Sequence, residues 1–411
     1  MVAIQIARCR QASLFVFVEV PSRRALRSLD PKTYIQQAAR LIREHRDQVK
    51  RLEAHLDCRT FPQQFGCEWP NLTEIVWTDT RLVGSCPDGP IHTDPVNGGL
   101  PRLKNLFVKG GIDWPTNIAT QLTTFKLEGP IDLDPSTFAD FFRRNTSLVS
   151  LELNNINISG SSRGRQEEPI ELPHLTKLTI HRTTCRHILR LLNPPSLKWL
   201  WVLSLEGRSP WWGCDWSEFC VRLMITTLKV RYCVLYKRVT VFGHSGLDTQ
   251  SLRFAGFPPL TQCAAVLKAL ANVSLSSVTS ISLIDNMPEG GVVLPTTTIC
   301  ALLGYLPRVT LMRLCPSDLA LDAVQRLRDD LALCPELREL EAVVMGRTCR
   351  KVAEPMVEMV KARAGGGAER KMRRVECTLP AGSQRSEEVW VRRVWGRLRE
   401  KAELEKYLSD E

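Results

Sequence analysis

The sequence lacks a long apolar run, and this absence argues against a membrane protein. The longest uncharged apolar stretches, residues 14–18 and 299–306, are far shorter than the roughly 18 to 20 residues that a membrane-spanning helix requires. In the first ten residues the arginines follow the apolar residues, which is the reverse of the order in a secretory signal. We therefore predict a protein without a membrane span, located in the cytoplasm, the nucleus or both.

The common spacings of structural zinc sites, phosphate-binding loops and zinc proteases are also absent. The chain has 14 cysteines, but no two of them have the Cys-x-x-Cys spacing of zinc sites. It contains no phosphate-binding glycine loop and no His-Glu-x-x-His. His181, Cys185 and His187 lie close together in the sequence, but no fourth ligand is near them. We predict a non-enzymatic protein with no cofactor, no metal and reduced, mostly buried thiols.

Positive charge is concentrated at the two ends of the chain. The net charge is +11, from 55 Lys and Arg against 44 Asp and Glu. Residues 1–60 contain 12 basic against 6 acidic side chains, residues 346–411 contain 16 against 11, and the middle contains 27 of each. A nucleic-acid-binding domain usually carries its basic excess on the domain itself, so the neutral middle weakens that function class.

One short pattern, apolar-x-x-apolar-x-apolar, recurs along nearly the whole chain. Leu72, Ile75 and Trp77 form one copy, and the other clear copies start at residues 103, 122, 148, 175, 197, 225, 278 and 309. Weaker copies start at residues 49, 249, 337 and 372. From residue 72 to residue 337 the spacing averages about 26 to 27 residues, within the roughly 20 to 29 residues of leucine-rich repeats.

Each copy predicts one short strand, because its last two apolar positions are two residues apart and share a strand face. Helix-like stretches lie between copies, and Pro precedes several of them, where it ends the helix and sets the turn. The prediction is an α/β leucine-rich-repeat solenoid, with a curved parallel sheet on the concave face, helices on the convex face and helical caps. Its segments are an N-terminal segment or helical cap at 1–48, the solenoid at 49–380 and a charged C-terminal helix or cap at 381–411.

The punctuated pattern resembles the leucine-rich-repeat portion of fungal F-box proteins. The resemblance covers roughly residues 45–380 and rests on the Pro-marked copies, the irregular repeat lengths and the Phe-Phe-Arg-Arg-Asn-Thr-Ser-Leu segment at 141–148. Leu29-Asp30-Pro31 and the following residues 34–42 resemble the second half of an F-box. The first half departs from the family, since Pro21 lies only eight residues before Leu29 and no Glu-Ile-Leu follows it.

The resemblance implies a function. In such proteins the F-box binds the adaptor subunit of a cullin-based ubiquitin ligase, and the repeats capture the protein to be modified. We therefore expect a substrate-recognition subunit or scaffold, with a degenerate F-box remnant at 1–48. The other interpretation of residues 31–49 is an amphipathic helix that caps the open end of the solenoid.

Residues that alternate with the buried ones in each copy are expected to face the concave side. Around the middle of the chain they are basic, with two tryptophans among them, and aromatic side chains amid Arg and Lys are typical anchors of protein interfaces. We predict that this surface binds a protein partner with an acidic surface, although a simple solvated face is the other interpretation. The predicted contact residues are Lys126, Lys177, His181, Trp199, Trp201, Lys229, Arg231, Arg253 and Arg313.

Two further segments have a functional and a structural interpretation. Residues 207–215 interrupt the repeat with Trp211 and Trp212, as residues 84–99, 160–171 and 237–246 interrupt it elsewhere, and such insertions would project from one edge. The tryptophans form either a binding loop or a cover for a gap between uneven repeats. Residues 386–407 form either a cap for the last repeat or a basic arm that docks an acidic partner or a nuclear import factor.

A function from another class also fits the sequence. The basic concave face and the basic termini would bind nucleic acid or anionic lipid. In that case the chain would bind random duplex or anionic lipid without any protein partner. Its affinity for them would fall steeply as the salt concentration rises.

Overall fold

The structure is a computed structural model that describes most of the chain. The chain divides into two compact units, Met1–Leu197 (unit 1) and Lys198–Glu411 (unit 2). The division falls inside the segment 49–380 that the repeat pattern assigns to one solenoid. The described residues are 13–19, 31–56, 60–65, 67–79, 100–110, 121–158, 168–181, 188, 191–203, 225–233, 238–244, 251–256, 277–285, 302–315, 317–344, 349–366, 371–379 and 385–408.

The chain is a mixed α/β protein with a large, mostly parallel sheet, as the sequence predicts at this coarser level. In unit 1, seven strands pair in the order β1-β2-β3-β4-β5-β6-β8, all parallel, and β7 pairs with β9 apart from them. The strands of unit 1 are β1 Leu14–Glu19, β2 Val49–His55, β3 Glu74–Thr78, β4 Asn105–Lys109, β5 Thr124–Leu133, β6 Ser150–Ile158, β7 Ile170–Glu171, β8 Lys177–His181 and β9 Leu192–Asn193.

Unit 2 departs from sequential order. Its strands pair in the order β10-β13-β12-β11-β14-β15-β16-β17, and all pairs are parallel except those of β12 with β11 and β13. The strands of unit 2 are β10 Trp199–Leu203, β11 Thr227–Cys233, β12 Arg238–His244, β13 Ser251–Gly256, β14 Ser280–Asp285, β15 Leu311–Cys315, β16 Glu339–Val343 and β17 Arg374–Thr378.

Strand β12 corrects one sequence-based prediction. We interpreted residues 237–246 as an insertion that projects from the edge of the repeats, but 238–244 form an antiparallel strand between β11 and β13. Val239, Val241 and Gly243 share one strand face, which is the two-residue period of a strand, and Val241 and Gly243 are buried. Residues 238–244 lie between the copies that start at 225 and 249, and a repeat of parallel strands does not predict an additional strand that runs in the opposite direction.

Six α-helices lie within the described part of the chain: α1 Pro31–Glu44, α2 Thr60–Phe65, α3 Pro135–Arg144, α4 Ser317–Asp329, α5 Cys349–Gly365 and α6 Arg385–Lys401. The predicted start at Asp134 and Pro135 is confirmed, because the Asp134 carboxylate accepts hydrogen bonds from the backbone N–H groups of Ser136 and Thr137. The Ser136 hydroxyl also donates to this carboxylate, and this bond is the main cause that lowers the pKa of Asp134. The two backbone hydrogen bonds lower it further. None of the described helices is long and apolar enough to span a membrane.

The apolar positions of the copies are buried wherever the structure describes their side chains, which confirms the strand prediction for those copies. Leu148, Leu151 and Leu153 are all fully buried, and Leu175, Leu178 and Ile180 repeat this one strand further along. Burying such a side chain contributes about 1.5 to 3 kcal/mol. The core of each unit is therefore a stack of equivalent apolar side chains that lines one face of the sheet.

A tight turn places the first apolar residue of most copies. The backbone N–H of Leu103 donates to the carbonyl of Leu100, three residues earlier, at 3.2 Å. Pro101 occupies the second position of this turn, where its fixed φ is favourable. The equivalent bond is donated by the N–H groups of Leu72, Leu148, Leu175, Leu197, Val309 and Leu337. Pro occupies the second position of each of these turns except the one before Leu148.

Threonine reinforces the start of many strands. The carbonyl of Thr279 accepts hydrogen bonds from two consecutive backbone N–H groups of the next copy, those of Thr310 and Leu311, at 2.8 and 3.1 Å. It also accepts one from the Thr310 hydroxyl at 3.1 Å. The residue after the first apolar position donates in this way in six copies, as Thr73, Thr123, Thr176, Thr226, Thr279 and Thr310. This role of the recurrent threonine was not predicted from the sequence.

The first described strand lies within the segment predicted as a helical cap. Strand β1 pairs in parallel with β2, and it buries Leu14, Val16 and Val18. Helix α1 follows, and its buried residues, Ile35, Ala38, Ala39 and Ile42, have the predicted amphipathic spacing. Pro31 begins α1, whereas Leu29 and Asp30 of the F-box-like segment lie outside the described residues.

Two glycines permit close contact between the end of strand β4 and the irregular middle of strand β5 in unit 1. Gly110 has φ +125°, and its N–H donates to the Glu128 carbonyl at 2.7 Å. A Cβ added to Gly129 would lie 1.9 Å from the Gly110 carbonyl oxygen. Only glycine at position 129 therefore fits against the backbone of the neighbouring copy.

We expect Gly129→Ala to destabilise the protein by about 1 to 3 kcal/mol, because the added methyl group displaces backbone atoms. The matched control is Gly396→Ala in α6, where nothing lies within 4 Å of the added Cβ and helix propensity favours alanine by roughly 0.5 to 1 kcal/mol. Urea unfolding monitored by circular dichroism measures both variants. Equal midpoints for the two would contradict the predicted backbone contact.

Candidate binding surface

Each unit has a polar sheet face, formed by the residues that alternate with the buried ones along its strands. The registers place these residues in rows that cross the strands, because parallel partners face each other directly. In unit 1 one such row contains Phe107, Lys126, Glu152 and Thr179.

Ion pairs offset positive charge on the polar face of unit 1. The Lys126 Nζ lies 2.7 Å from a Glu152 carboxylate oxygen on the neighbouring strand, and Lys109 lies 3.0 Å from Glu128. Lys126, which the sequence predicts to be an available positive charge, is thus paired with a glutamate of its own sheet. Such pairs between partly exposed side chains contribute little to stability, about 0 to 1 kcal/mol, but they reduce the positive potential.

The other predicted contact residues of unit 1 lie on strand β8. Lys177 is at its start and is exposed, whereas His181 is at its end and half-buried. Between them, Thr179 also faces away from the apolar core by register, yet it is buried.

In unit 2 the registers bring predicted contact residues together in one row. Trp201 on β10 faces Arg253 on β13, Arg253 faces Phe242 on β12, and Phe242 faces Lys229 on β11. We call these four residues the aromatic–cation row. Trp199 lies two residues before Trp201 on the same face of β10, with 38% of its surface exposed.

The Arg253 side chain contacts the rings of both neighbouring strands. Its guanidinium carbon lies 4.4 Å from the centroid of the Trp201 ring and 5.3 Å from that of Phe242. Both distances are within the range of a cation–π interaction, which is worth about 0.5 to 1 kcal/mol at exposed sites and more when desolvated. The two rings therefore restrain the orientation of the guanidinium plane before any ligand binds.

This arrangement suits recognition of an anionic group. A guanidinium presents planar donors that match the oxygens of a carboxylate or phosphate, and Lys229 adds a second cation one strand beyond Phe242. Flat aromatic side chains beside these cations supply contact area at a small cost in conformational entropy. The row has the composition of a protein-interface anchor.

The opposite end of this face in unit 2 is acidic. Glu341 on β16 directly faces Glu376 on β17, and such like-charged neighbours repel each other. Arg313 approaches Glu341 at 3.4 Å, and the Thr378 hydroxyl donates to Glu341 at 2.8 Å. A hydrogen bond from Arg374 lowers the pKa of Glu376. The predicted contact residue Arg313 is thus engaged with a carboxylate of its own sheet.

Some predicted residues lie where side chains are not described. Arg231 is on β11, which places it on the strand face of Lys229, but its side chain lies outside the described residues. Trp211, Trp212 and Trp216 also lie outside them, as do Cys185 and His187. Phe242 was missed by the sequence analysis because the segment that contains it was interpreted as a loop.

Within the described residues, no group of three or more His, Cys, Asp or Glu side chains is placed to hold a metal ion. Comparison with known proteins adds no homologue: neither a known protein family nor a curated protein matches this sequence. Function is therefore inferred from the surface chemistry of the chain itself.

We expect Trp201 and Arg253 to be energetically coupled. A double-mutant cycle of Trp201→Ala, Arg253→Ala and the double variant should give a coupling free energy of about 0.5 to 1 kcal/mol, measured by urea unfolding. The control cycle combines Trp201→Ala with Arg313→Ala, whose strands are five positions apart in the sheet, and it should be additive within about 0.5 kcal/mol. Additivity in both cycles would contradict the stacked geometry.

Proposed function

We propose that this chain is a non-enzymatic protein-interaction module, a leucine-rich-repeat solenoid that binds another protein through its polar sheet face. The solenoid interpretation is supported by the recurrent turn, parallel strand and buried apolar triplet. Resemblance to the repeat portion of fungal F-box proteins favours a substrate-recognition subunit or scaffold.

The observation that carries the binding proposal is the aromatic–cation row. It places Arg253 between Trp201 and Phe242, with Lys229 on the next strand. Trp and Arg dominate the binding energy of protein interfaces because a single side chain combines apolar area with directed polar contacts. The partner group that fits the row is an acidic peptide segment, whose carboxylates meet the cations and whose apolar atoms lie on the rings.

Charge distribution favours a protein partner over nucleic acid. A backbone-binding surface needs a run of uncompensated cations, since each neutralised phosphate adds to affinity. On the polar face of unit 1, Lys126 and Lys109 are paired with glutamates, and the far end of the unit 2 face carries Glu341 and Glu376. The positive charge is therefore confined to the surface around the aromatic–cation row, which suits the binding of a short acidic peptide segment.

We expect Trp201→Ala and Arg253→Ala each to abolish capture of a shared set of proteins when the full chain is used as bait in a fungal lysate. Truncation of an anchor residue typically costs about 2 kcal/mol or more, roughly a thirtyfold loss of affinity. Quantitative mass spectrometry of the captured proteins at low and high salt measures the effect, and a partner held by charge should weaken with salt.

The matched control is Phe107→Ala, which removes a half-buried aromatic residue from the polar face of unit 1 and should leave capture unchanged. Capture that survives both Trp201→Ala and Arg253→Ala would contradict the assignment of this surface. Binding of random duplex or anionic vesicles at the affinity of the protein partners would favour the nucleic-acid or lipid function instead.

The same experiment tests the link to ubiquitin ligases. Recovery of a cullin and its adaptor with the wild-type chain would support a substrate-recognition subunit whose adaptor contact lies in residues 1–48. Enrichment of other proteins without cullin and adaptor would support a ligase-independent scaffold.

A further inference from the structure

Two threonines of the sequence follow the same pattern of basic residues. Thr146 follows Arg143 and Arg144, with one residue between. Thr240 follows a Lys-Arg pair at 237–238 in the same way. No other serine or threonine of the chain has Lys or Arg at both the third and the second positions before it. Protein kinases select substrates by such charge patterns, so the sequence offers two candidate phosphorylation sites.

The fold closes one of these candidates, Thr240. This residue lies in β12, opposite Arg231 of β11 on one side and Ala255 of β13 on the other. Its backbone is held by strands on both sides, and only 8% of its surface is exposed. A kinase has to bind the segment around the hydroxyl as an extended chain, which here requires the sheet to open. Opening of central strands costs much of the stability of a unit, so Thr240 is protected.

The other candidate, Thr146, lies in the turn between α3 and β6. It occupies the second position of this turn, which the Leu148 N–H closes by donating to the Asn145 carbonyl at 3.3 Å. Its side chain is exposed, and so are those of Arg143 and Arg144 at the end of α3. In the other described turns of this kind the same position is a proline. Among these turns, the one before β6 therefore presents a hydroxyl where the others present a proline ring.

Only the end of one helix has to open before this segment can bind as an extended chain. The Asn145 N–H donates to the Phe142 carbonyl at 3.1 Å, and the Asn145 side chain donates to the Phe141 carbonyl at 2.9 Å. Arg143 is also paired with Asp140 at 3.2 Å, and such an exposed pair costs little to break. Helix ends open at lower cost than central strands. Asn145 is buried, so the opening slows the reaction relative to a free peptide.

We propose that Thr146 is a phosphorylation site for protein kinases that select basic residues. The Thr146 Oγ bonds to the γ-phosphorus of ATP, the bond from that phosphorus to the β–γ bridging oxygen breaks, and ADP leaves. The hydroxyl proton passes to the catalytic carboxylate of the kinase. The phosphate adds a charge of about −1.5 to −2 beside Arg143 and Arg144, whose guanidinium groups are strong donors to its oxygens. This corner of unit 1 changes from basic to nearly neutral, and the aromatic–cation row in unit 2 is not involved.

The test incubates the full chain with ATP and the catalytic subunit of a cyclic-AMP-dependent kinase, which selects basic residues, and locates phosphate by tandem mass spectrometry. We expect phosphate on Thr146 and none on Thr240. Thr146→Val removes the hydroxyl with little change of shape and should abolish this incorporation. Arg144→Gln should slow it by at least about tenfold, because one charge-assisted contact with the kinase is lost. The matched control is Arg308→Gln, which replaces an exposed arginine of an equivalent turn and should leave the rate unchanged.

Two synthetic peptides, residues 140–152 and 234–246, separate the basic pattern from the fold. Both should be phosphorylated, because both contain the basic pair, and the first should react faster than the full chain because no helix end has to open. Absence of phosphate from Thr146 of the full chain would overturn the proposal, whether or not the peptides react. Phosphate on Thr240 or on the half-buried Ser147 at the rate of Thr146 would also overturn it, because exposure would then not decide the site.

Discussion

The structure depends on how each strand satisfies the backbone of its neighbour at the point where the strand begins. A carbonyl such as that of Thr279 receives two consecutive N–H donors and a threonine hydroxyl from the next copy. This contact fixes the register, and in a period-two strand a shift by one residue would exchange the buried and exposed faces. The apolar triplets and the polar rows follow from that register.

Much of the core could be predicted from the sequence because its signal is local and repeated. The apolar-x-x-apolar-x-apolar spacing located the strands, and Pro101 and its equivalents located the turns before them. The start of α3 at Asp134 and Pro135 was equally legible, because capping depends on neighbouring residues alone. A pattern that many copies share is recognisable even when each copy is degenerate.

Features that depend on pairing between distant strands could not be predicted in the same way. Strand β12 is antiparallel to both of its neighbours, so a repeat of parallel strands does not predict it. The position of Phe242 on the sheet was therefore not predicted either. The polar residues Lys126 and Arg253 were correctly assigned to the face opposite the core. Their environments differ because their cross-strand neighbours are Glu152 in one case and Trp201 and Phe242 in the other, which only the registers reveal.

Strands β11 and β12 lie between β10 and β13 in the sequence, so the ribosome synthesises β13, which pairs with β10, only after both of them. Strand β10 ends at Leu203, but the strand that pairs with it in unit 2 starts at Ser251, about 50 residues later. At roughly 5 to 20 residues per second, a translating ribosome needs about 2 to 10 s to deliver that partner. During this interval the edge of β10 that receives β13 is unprotected. An unpaired strand edge is a template for mispairing, so the late arrival of β13 prolongs the period in which the β10 edge is open to it.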